Sequence, residues 1–172
     1  MSRVHLLDRE DAPLTVRHLF PDEGQVSSLR RSLANAPDLL EVFMPFLAHV
    51  CGPTSIDLAT KEIVTVRVSQ LNACGYCLAA HRPAALDAGV TEAELAAICN
   101  EGPVAALDVR ERTLVEWVDC YILDPVSIDD ELVARMLDHF RDDQLIELAF
   151  VAGVTQLLNH YCTAFAIPPE RA

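Results

Sequence analysis

Apolar residues along this chain recur at helical spacing, and no segment shows the period-2 alternation of β-branched residues that marks a half-buried strand. Caps and breakers cut the pattern into short blocks. Ser27 or Ser28 can cap a helix reaching about Ala34. Pro37 suits the first turn of a second, Asp38 to His49, which Gly52-Pro53 ends. Asp57 opens a third helix with Leu58, Ile63, Val66 and Leu71 as its stripe. Val64 and Val68 widen that stripe, so burial on more than one side is expected. Asn72-Ala73 interrupts it, and a fourth helix runs from near Cys74 to Gly89, a typical terminator. Thr91 and Glu94 form a capping box for a short helix ended by Gly102-Pro103, and Asp108 and Glu111 repeat the device for a helix to about Leu123. Ser127 is expected to cap the next, to about Phe140, and Asp142 the last and longest, to about Phe165.

These blocks predict an all-α fold, a compact helical domain of seven to eight helices over residues 25–172, preceded by an irregular arm over residues 1–24. The final helix is apolar on nearly every side, and in a domain this small a second subunit is a good candidate to cover it. Glu147, Gln156, Asn159 and His160 interrupt its apolar run, so it reads as a buried helix and not as a membrane span.

Composition narrows the classes of function. The 172 residues are 51% hydrophobic and only 6% aromatic, which points to an aliphatic core and excludes disorder as the default. The formal charge is −13, with −1 in residues 1–86 and −12 in residues 87–172. Phosphate binding needs a basic face, so neither a nucleic acid nor an anionic membrane surface is an expected partner. The N-terminal segment lacks the apolar region of a signal peptide, and the expected location is the cytoplasm. In that reducing compartment the six cysteines are buried, metal-binding or catalytic and not a disulfide framework.

The informative stretch is Glu62 to His81, with the skeleton Glu62, eleven residues, Cys74, two residues, Cys77, three residues, His81. Cys74 and Cys77 fall at the start of a predicted helix. Their spacing lets the sulfurs bridge with little backbone movement. Unpaired N–H groups and the helix dipole there can lower a thiol pKa from ~8.5 to ~3.5–7.5. His81 lies four residues after Cys77 and seven after Cys74, on the same face, where imidazole can take and return a thiol proton. Glu62 on the preceding helix can orient it, giving nucleophile, base and orienter. Inert packing of the cysteines and a structural zinc are the competing readings, but Cys74, Cys77 and His81 supply only three ligands and no second motif completes four. No metal and no cofactor is expected.

This five-part spacing in an all-α chain resembles the alkyl hydroperoxidase D / carboxymuconolactone decarboxylase superfamily, most closely its peroxidase-related branch. The match is strongest over about residues 55–100 and extends to about two-thirds of the chain. The resemblance implies an oxidoreductase, a thiol-dependent peroxidase in which one cysteine attacks a hydroperoxide, the other closes a Cys74–Cys77 disulfide, and Glu62 and His81 relay protons. It also implies a lipoyl-bearing or thioredoxin-like reductant and a homo-oligomer, a trimer or hexamer. The alkyl hydroperoxidase D pattern has a histidine where this chain has Tyr76. Tyrosine is no base near pH 7, so Tyr76 is expected to line the pocket. Alternatives on the same scaffold are a non-redox lyase of the decarboxylase type and a non-catalytic redox-sensing oligomer.

Helix spacing puts Cys77 nearer His81 and the helix end makes Cys74 the more exposed, so Cys77 is expected to meet the peroxide and Cys74 the reductant. Arg67 and Arg82 are expected at the surface. Cys51, Cys99, Cys120, Cys162 and Trp117 read as packing or subunit contacts, and Glu147 as an arginine partner or a solvated residue.

Overall fold

The long apolar stripe over Leu58–Leu71 becomes the axis of the molecule. In a computed structural model, which describes residues 1–21 and 24–170, this helix packs against four others and buries every residue from Ile63 to Ser69. Two residues of the expected arm (Asp22, Glu23) and the last two of the expected domain (Arg171, Ala172) lie outside the described residues. The order is α1 (Ser28–Leu33), α2 (Pro37–Cys51), α3 (Leu58–Leu71), α4 (Gly75–Asp87), α5 (Glu92–Ile98), α6 (Val109–Leu123), α7 (Asp130–Leu137) and α8 (Asp142–Ala164). Three short 3₁₀ turns lie at Arg17–Leu19, Val104–Ala106 and Pro125–Ser127, and the described residues contain no strand.

Most boundaries follow the local chemistry that predicts them. Ser27, Asp57, Thr91 and Asp108 each accept a backbone N–H of the first turn of α1, α3, α5 and α6, and the boxes at Thr91 and Asp108 are closed in both directions. Two boundaries differ from expectation. Ser127 sits in the 3₁₀ turn and Asp129 caps α7, because Pro125 fixes one more tight turn before the helix can start. Asp142 is the first residue inside α8, and Gln144 instead accepts the Arg141 backbone N–H.

The core gathers on α3. Val64, Val66 and Val68 meet Leu114 and Val118 of α6 and Leu148, Val151 and Ala152 of α8, all almost wholly buried. Each such aliphatic side chain contributes about 1.5–3 kcal/mol. Residues 1–21 bury Ala12, Val16 and Phe20 against Leu33, Ala34 and Leu40 in a second, smaller cluster.

Two cations lie inside this packing. Lys61, 2% exposed, donates to the carbonyls of Val50 and Gly52 and to Glu147, fastening the α2–α3 connection to α8. Glu147 therefore serves a lysine of its own chain. Arg67 was expected at the surface and is instead buried at 6%. It makes a two-pronged ion pair with Asp119 of α6 and donates to the Ile98 carbonyl and Asn100, so one side chain joins α3, α5 and α6. Arg82 is half-buried and pairs with Glu101.

The last helix is covered on one side only. Ile146, Phe150 and Leu157 of α8 stay exposed beside Phe46 of α2. A shallow groove of about 350 Å³ between them is lined by Phe43, Phe46, Tyr121, Phe150, Val154 and Leu157.

Candidate functional site

The site starts from how two helices end. Ala73 follows the C-cap of α3 with φ 49°, a left-handed conformation that disfavours side chains other than glycine's. There the Cys74 N–H reaches the Ser69 carbonyl at 3.0 Å and the Ala73 N–H reaches Gln70 at 3.1 Å, the paired bonds of a Schellman turn. That turn places Cys74 as the N-cap of α4, where its sulfur accepts the Cys77 N–H at 3.4 Å. The end of α8 repeats the device. Ala166 has φ 49°, and the Ile167 N–H bonds to the Cys162 carbonyl at 2.9 Å. Ile167 folds back onto Cys162, and both join Cys74 and Cys77 in one buried cluster.

The Cys74 and Cys77 sulfurs are 2.8 Å apart, beyond the ~2.05 Å of a bond and well inside non-bonded contact. Cys162 packs in the same cluster and acts on the ionisation of both thiols. The three do not share charge equally. The Cys162 thiol, then the Cys77 thiol, then the Cys77 N–H donate to Cys74 and hold its pKa far below that of an ordinary thiol, against the opposing effect of burial. The bond with Cys162 also favours a thiolate at Cys77, but its bond to Cys74, burial and the charge on Cys74 outweigh it and push Cys77 up. Cys162 is pushed up too, by its bonds to Cys74 and Cys77 and by burial. Of the three, Cys74 is the thiol whose surroundings favour the ionised form, and Cys77 and Cys162 are pushed the other way.

This differs from the expected division of labour. Cys74 is the more buried of the pair, 1% exposed against 5% for Cys77, because the Schellman turn folds the α4 N-terminus inward under the end of α8. It is nevertheless reached by a cavity of about 450 Å³, whose walls include Cys74, Tyr76, Cys162, Ile167, Pro168 and Pro169. Tyr76 therefore stands where expected, on a cavity wall. Its hydroxyl donates to Glu170 at 3.4 Å, and burial drives its pKa up, so it stays a neutral donor. Glu170 also accepts the Ser28 N–H at 2.6 Å, which ties the C-terminal segment to the start of α1.

His81 and Glu62 are brought together as expected. His81 Nδ1 lies 2.8 Å from Glu62 Oε2, joining α4 to α3 across their contact. With Nδ1 bonded to the carboxylate, Nε2 is the nitrogen that can exchange a proton. Both side chains are partly buried.

Two further residues escaped the sequence analysis in this role. Asn159, fully buried on α8, donates to Ser69 Oγ and accepts from Asn72, both at 3.1 Å, and its side chain also reaches Cys77. It had figured only as a polar break in an apolar helix. Cys162 reads from the sequence as packing or a subunit contact. It does pack, but in one cluster with the two cysteines, and no local spacing signals a contact so far along the chain. Cys99 and Trp117 lie in the core, with Trp117 stacked on Tyr121 at 4.9 Å. Among the described residues no group of three or more His, Cys, Asp or Glu side chains is arranged to hold a metal ion. No described helix is long and apolar enough to cross a membrane.

A thiolate set this way has a measurable signature. Alkylation of Cys74 by iodoacetamide should stay nearly constant between pH 8 and pH 6, because a thiol of lowered pKa remains ionised throughout. An ordinary thiol would slow about tenfold per pH unit below its pKa. Rates read by mass spectrometry of the Cys74 peptide decide it, and a tenfold fall per unit from pH 8 would contradict the assignment.

The fold and site define a helical protein with a paired-cysteine centre at the start of one helix and a His–Glu pair that joins this helix to the one before it. The carboxymuconolactone decarboxylase family model matches residues 37–119, a span that contains Glu62, Cys74, Cys77 and His81. Over that span, just under half of its length, the chain is similar to the carboxymuconolactone decarboxylase family. It is 24% identical to the uncharacterized protein YnjA of Escherichia coli over 99% of this chain and 92% of that protein. It is 29% identical to the uncharacterized protein Rv2313c of Mycobacterium tuberculosis over 63% of this chain, a match that spans only 38% of that longer relative. Among solved structures, an uncharacterized peroxidase-related protein from Ralstonia eutropha superposes with TM-score 0.85 at 16% identity, covering 98% of this chain and 92% of the other. The debrominase Bmp8, solved in complex with 2,3,4-tribromopyrrole, superposes with TM-score 0.79 at 19% identity over 97% and 91%.

Proposed function

We propose that this protein is a thiol-dependent oxidoreductase that reduces hydroperoxides through the Cys74–Cys77 pair. The observation that carries the reading is the cysteine pair itself, a thiolate at a helix N-terminus with a second thiol 2.8 Å away. The Cys74 thiolate attacks the terminal peroxide oxygen and the O–O bond breaks. The sulfur becomes a sulfenic acid, and the departing alkoxide takes a proton to leave as an alcohol. The Cys77 thiol then attacks the Cys74 sulfur, closing the disulfide and releasing water. An external dithiol, of lipoyl or thioredoxin-like chemistry, restores both thiols by exchange.

His81 and Glu62 serve as the proton relay in this scheme. The carboxylate holds Nδ1, so Nε2 can pass a proton toward the leaving oxygen. His81→Ala should slow peroxide consumption by about 10²–10⁴-fold, and Glu62→Gln should give part of that loss by releasing the ring. Stopped-flow peroxide consumption reads both, and an unchanged His81→Ala rate between pH 5.5 and 8.5 would remove the relay.

The reading places the protein in the cytoplasm, where its six cysteines, all unbridged in the structure, can remain thiols. It also takes the exposed apolar face of α8 and α2 as covered in a homo-oligomer, a trimer or hexamer.

The deciding experiment treats reduced protein with hydrogen peroxide and with an organic hydroperoxide, follows free thiols and maps new bridges by mass spectrometry. Rapid loss of two thiols with a Cys74–Cys77 bridge is expected. Thiols that persist in excess peroxide would overturn the proposal.

A further inference from the structure

We propose that Cys162 is a third redox thiol of this site, exchanging with the Cys74–Cys77 disulfide to form a Cys74–Cys162 disulfide on the cavity wall. The inference rests on the oxidoreductase reading above and extends it to a residue outside the Cys-x-x-C motif.

Placement is the first argument. Cys162 arrives from the last turn of α8, far along the chain, yet it shares one small buried cluster with Cys74 and Cys77. A sulfur packed in one cluster with both members of a disulfide is where an attacking thiol must stand.

Access is the second. The cavity of about 450 Å³ is bounded by Cys74 and Cys162, together with Tyr76 and the Ile167–Pro169 segment, and Cys77 is not among its lining residues. A reductant entering there meets Cys74 and Cys162. The Cys74–Cys77 bridge therefore keeps one of its sulfurs behind the wall, whereas a Cys74–Cys162 bridge has both sulfurs on it.

The step balances without any co-reactant. The Cys162 sulfur attacks Cys74 Sγ, the Cys74–Cys77 bond breaks, and Cys77 leaves as a thiolate. It takes up the proton that Cys162 gives up. One disulfide is lost and one formed, so no net electrons move. The charge distribution also orders the events. In the reduced site Cys162 is held as a thiol chiefly by its bond to the Cys74 thiolate. Once Cys74 is oxidised that negative charge is gone, and with it the main reason for Cys162 to stay protonated.

The test uses the full chain and its Cys77→Ser, Cys162→Ser and Cys162→Ala variants. Each is reduced, treated with one equivalent of cumene hydroperoxide, quenched by alkylation and mapped by non-reducing peptide mass spectrometry. In Cys77→Ser the expected product is a Cys74–Cys162 disulfide with loss of two thiols per chain. In Cys162→Ser the Cys74–Cys77 bridge should form, but its reduction by dihydrolipoamide should be at least about tenfold slower than in the parent. Cys162→Ala gives the same comparison if serine disturbs folding. A Cys77→Ser protein whose Cys74 proceeds to sulfinic or sulfonic acid, or bridges to Cys51, Cys99 or Cys120, would overturn the role of Cys162. So would unchanged reduction kinetics in the Cys162 variants. Failure of the parent to form any Cys74–Cys77 bridge would instead overturn the underlying reading, so the two failures are distinct.

Discussion

Cys74→Ser should abolish hydroperoxide reduction, lowering the rate by more than about 10³-fold while leaving the fold intact. The size of the effect follows from the chemistry. A serine hydroxyl is not ionised near pH 7 and cannot be drawn down to that range by the donors around it, so the attacking anion disappears. The Cys77 thiol remains, but it has lost Cys74, its partner in the proposed bridge. The fold should survive because the serine oxygen can still accept the Cys77 N–H that caps α4, a position where serine is among the best residues. Peroxide consumption, thermal unfolding and thiol counting on the same sample separate the outcomes. A fully folded Cys74→Ser protein that retains more than about a tenth of the parental rate would show that Cys74 is not the nucleophile and would return that role to Cys77.

Arg67→Met should produce the largest loss of stability of any single substitution considered. Arg67 is buried, and its guanidinium serves Asp119, the Ile98 carbonyl and Asn100 at once. Methionine fills similar space but leaves those acceptors without a donor. Removing one partner of a buried ion pair costs about 3–5 kcal/mol. Asp119 keeps about a third of its side-chain surface in water, which moves the expectation to the lower end of that range. At ~2–4 °C per kcal/mol for a chain this size, the melting temperature should fall by about 6–12 °C. The double variant Arg67→Met, Asp119→Leu should recover much of the loss, since replacing both charges by apolar groups removes the unpaired acceptor. Unfolding must be compared at one protomer concentration, because assembly shifts apparent stability. A loss below about 1 kcal/mol for Arg67→Met would mean that water replaces the guanidinium and that the pair is no strut.

The contrast between Arg67 and His81 separates what could be read locally from what could not. Glu62, Cys74, Cys77 and His81 fall within 20 residues on two consecutive helices, so helical spacing alone places them near one another. Arg67 lies in the same stretch, yet its burial depends on Asp119 and on the end of α5, neither of which leaves a mark near residue 67. Helix ends behave in the same way. Gly89 announces the turn after α4 because glycine adopts its φ of 106° without strain. The turns after α3 and α8 use Ala73 and Ala166 at φ 49°, where no residue type signals them. The first of these turns places Cys74 at the head of α4, and the second folds Ile167 back onto Cys162.

The all-α class, the caps of most helices, the buried character of α3 and the Cys74–Cys77 and Glu62–His81 pairings are legible in the sequence. Each of these follows from residue spacings shorter than a helix or two, the range over which backbone hydrogen bonding and side-chain periodicity act. What the sequence does not carry is that the Cys74 thiol is lowered while Cys77 is raised, that Cys162 and Asn159 lie against the cysteine pair, and that the cavity opens on Cys74 and Cys162. The physical reason is that a thiol's ionisation and access are fixed by whichever donors and walls surround it. Here the last two turns of α8 and the segment that follows supply them, more than 80 residues away along the chain.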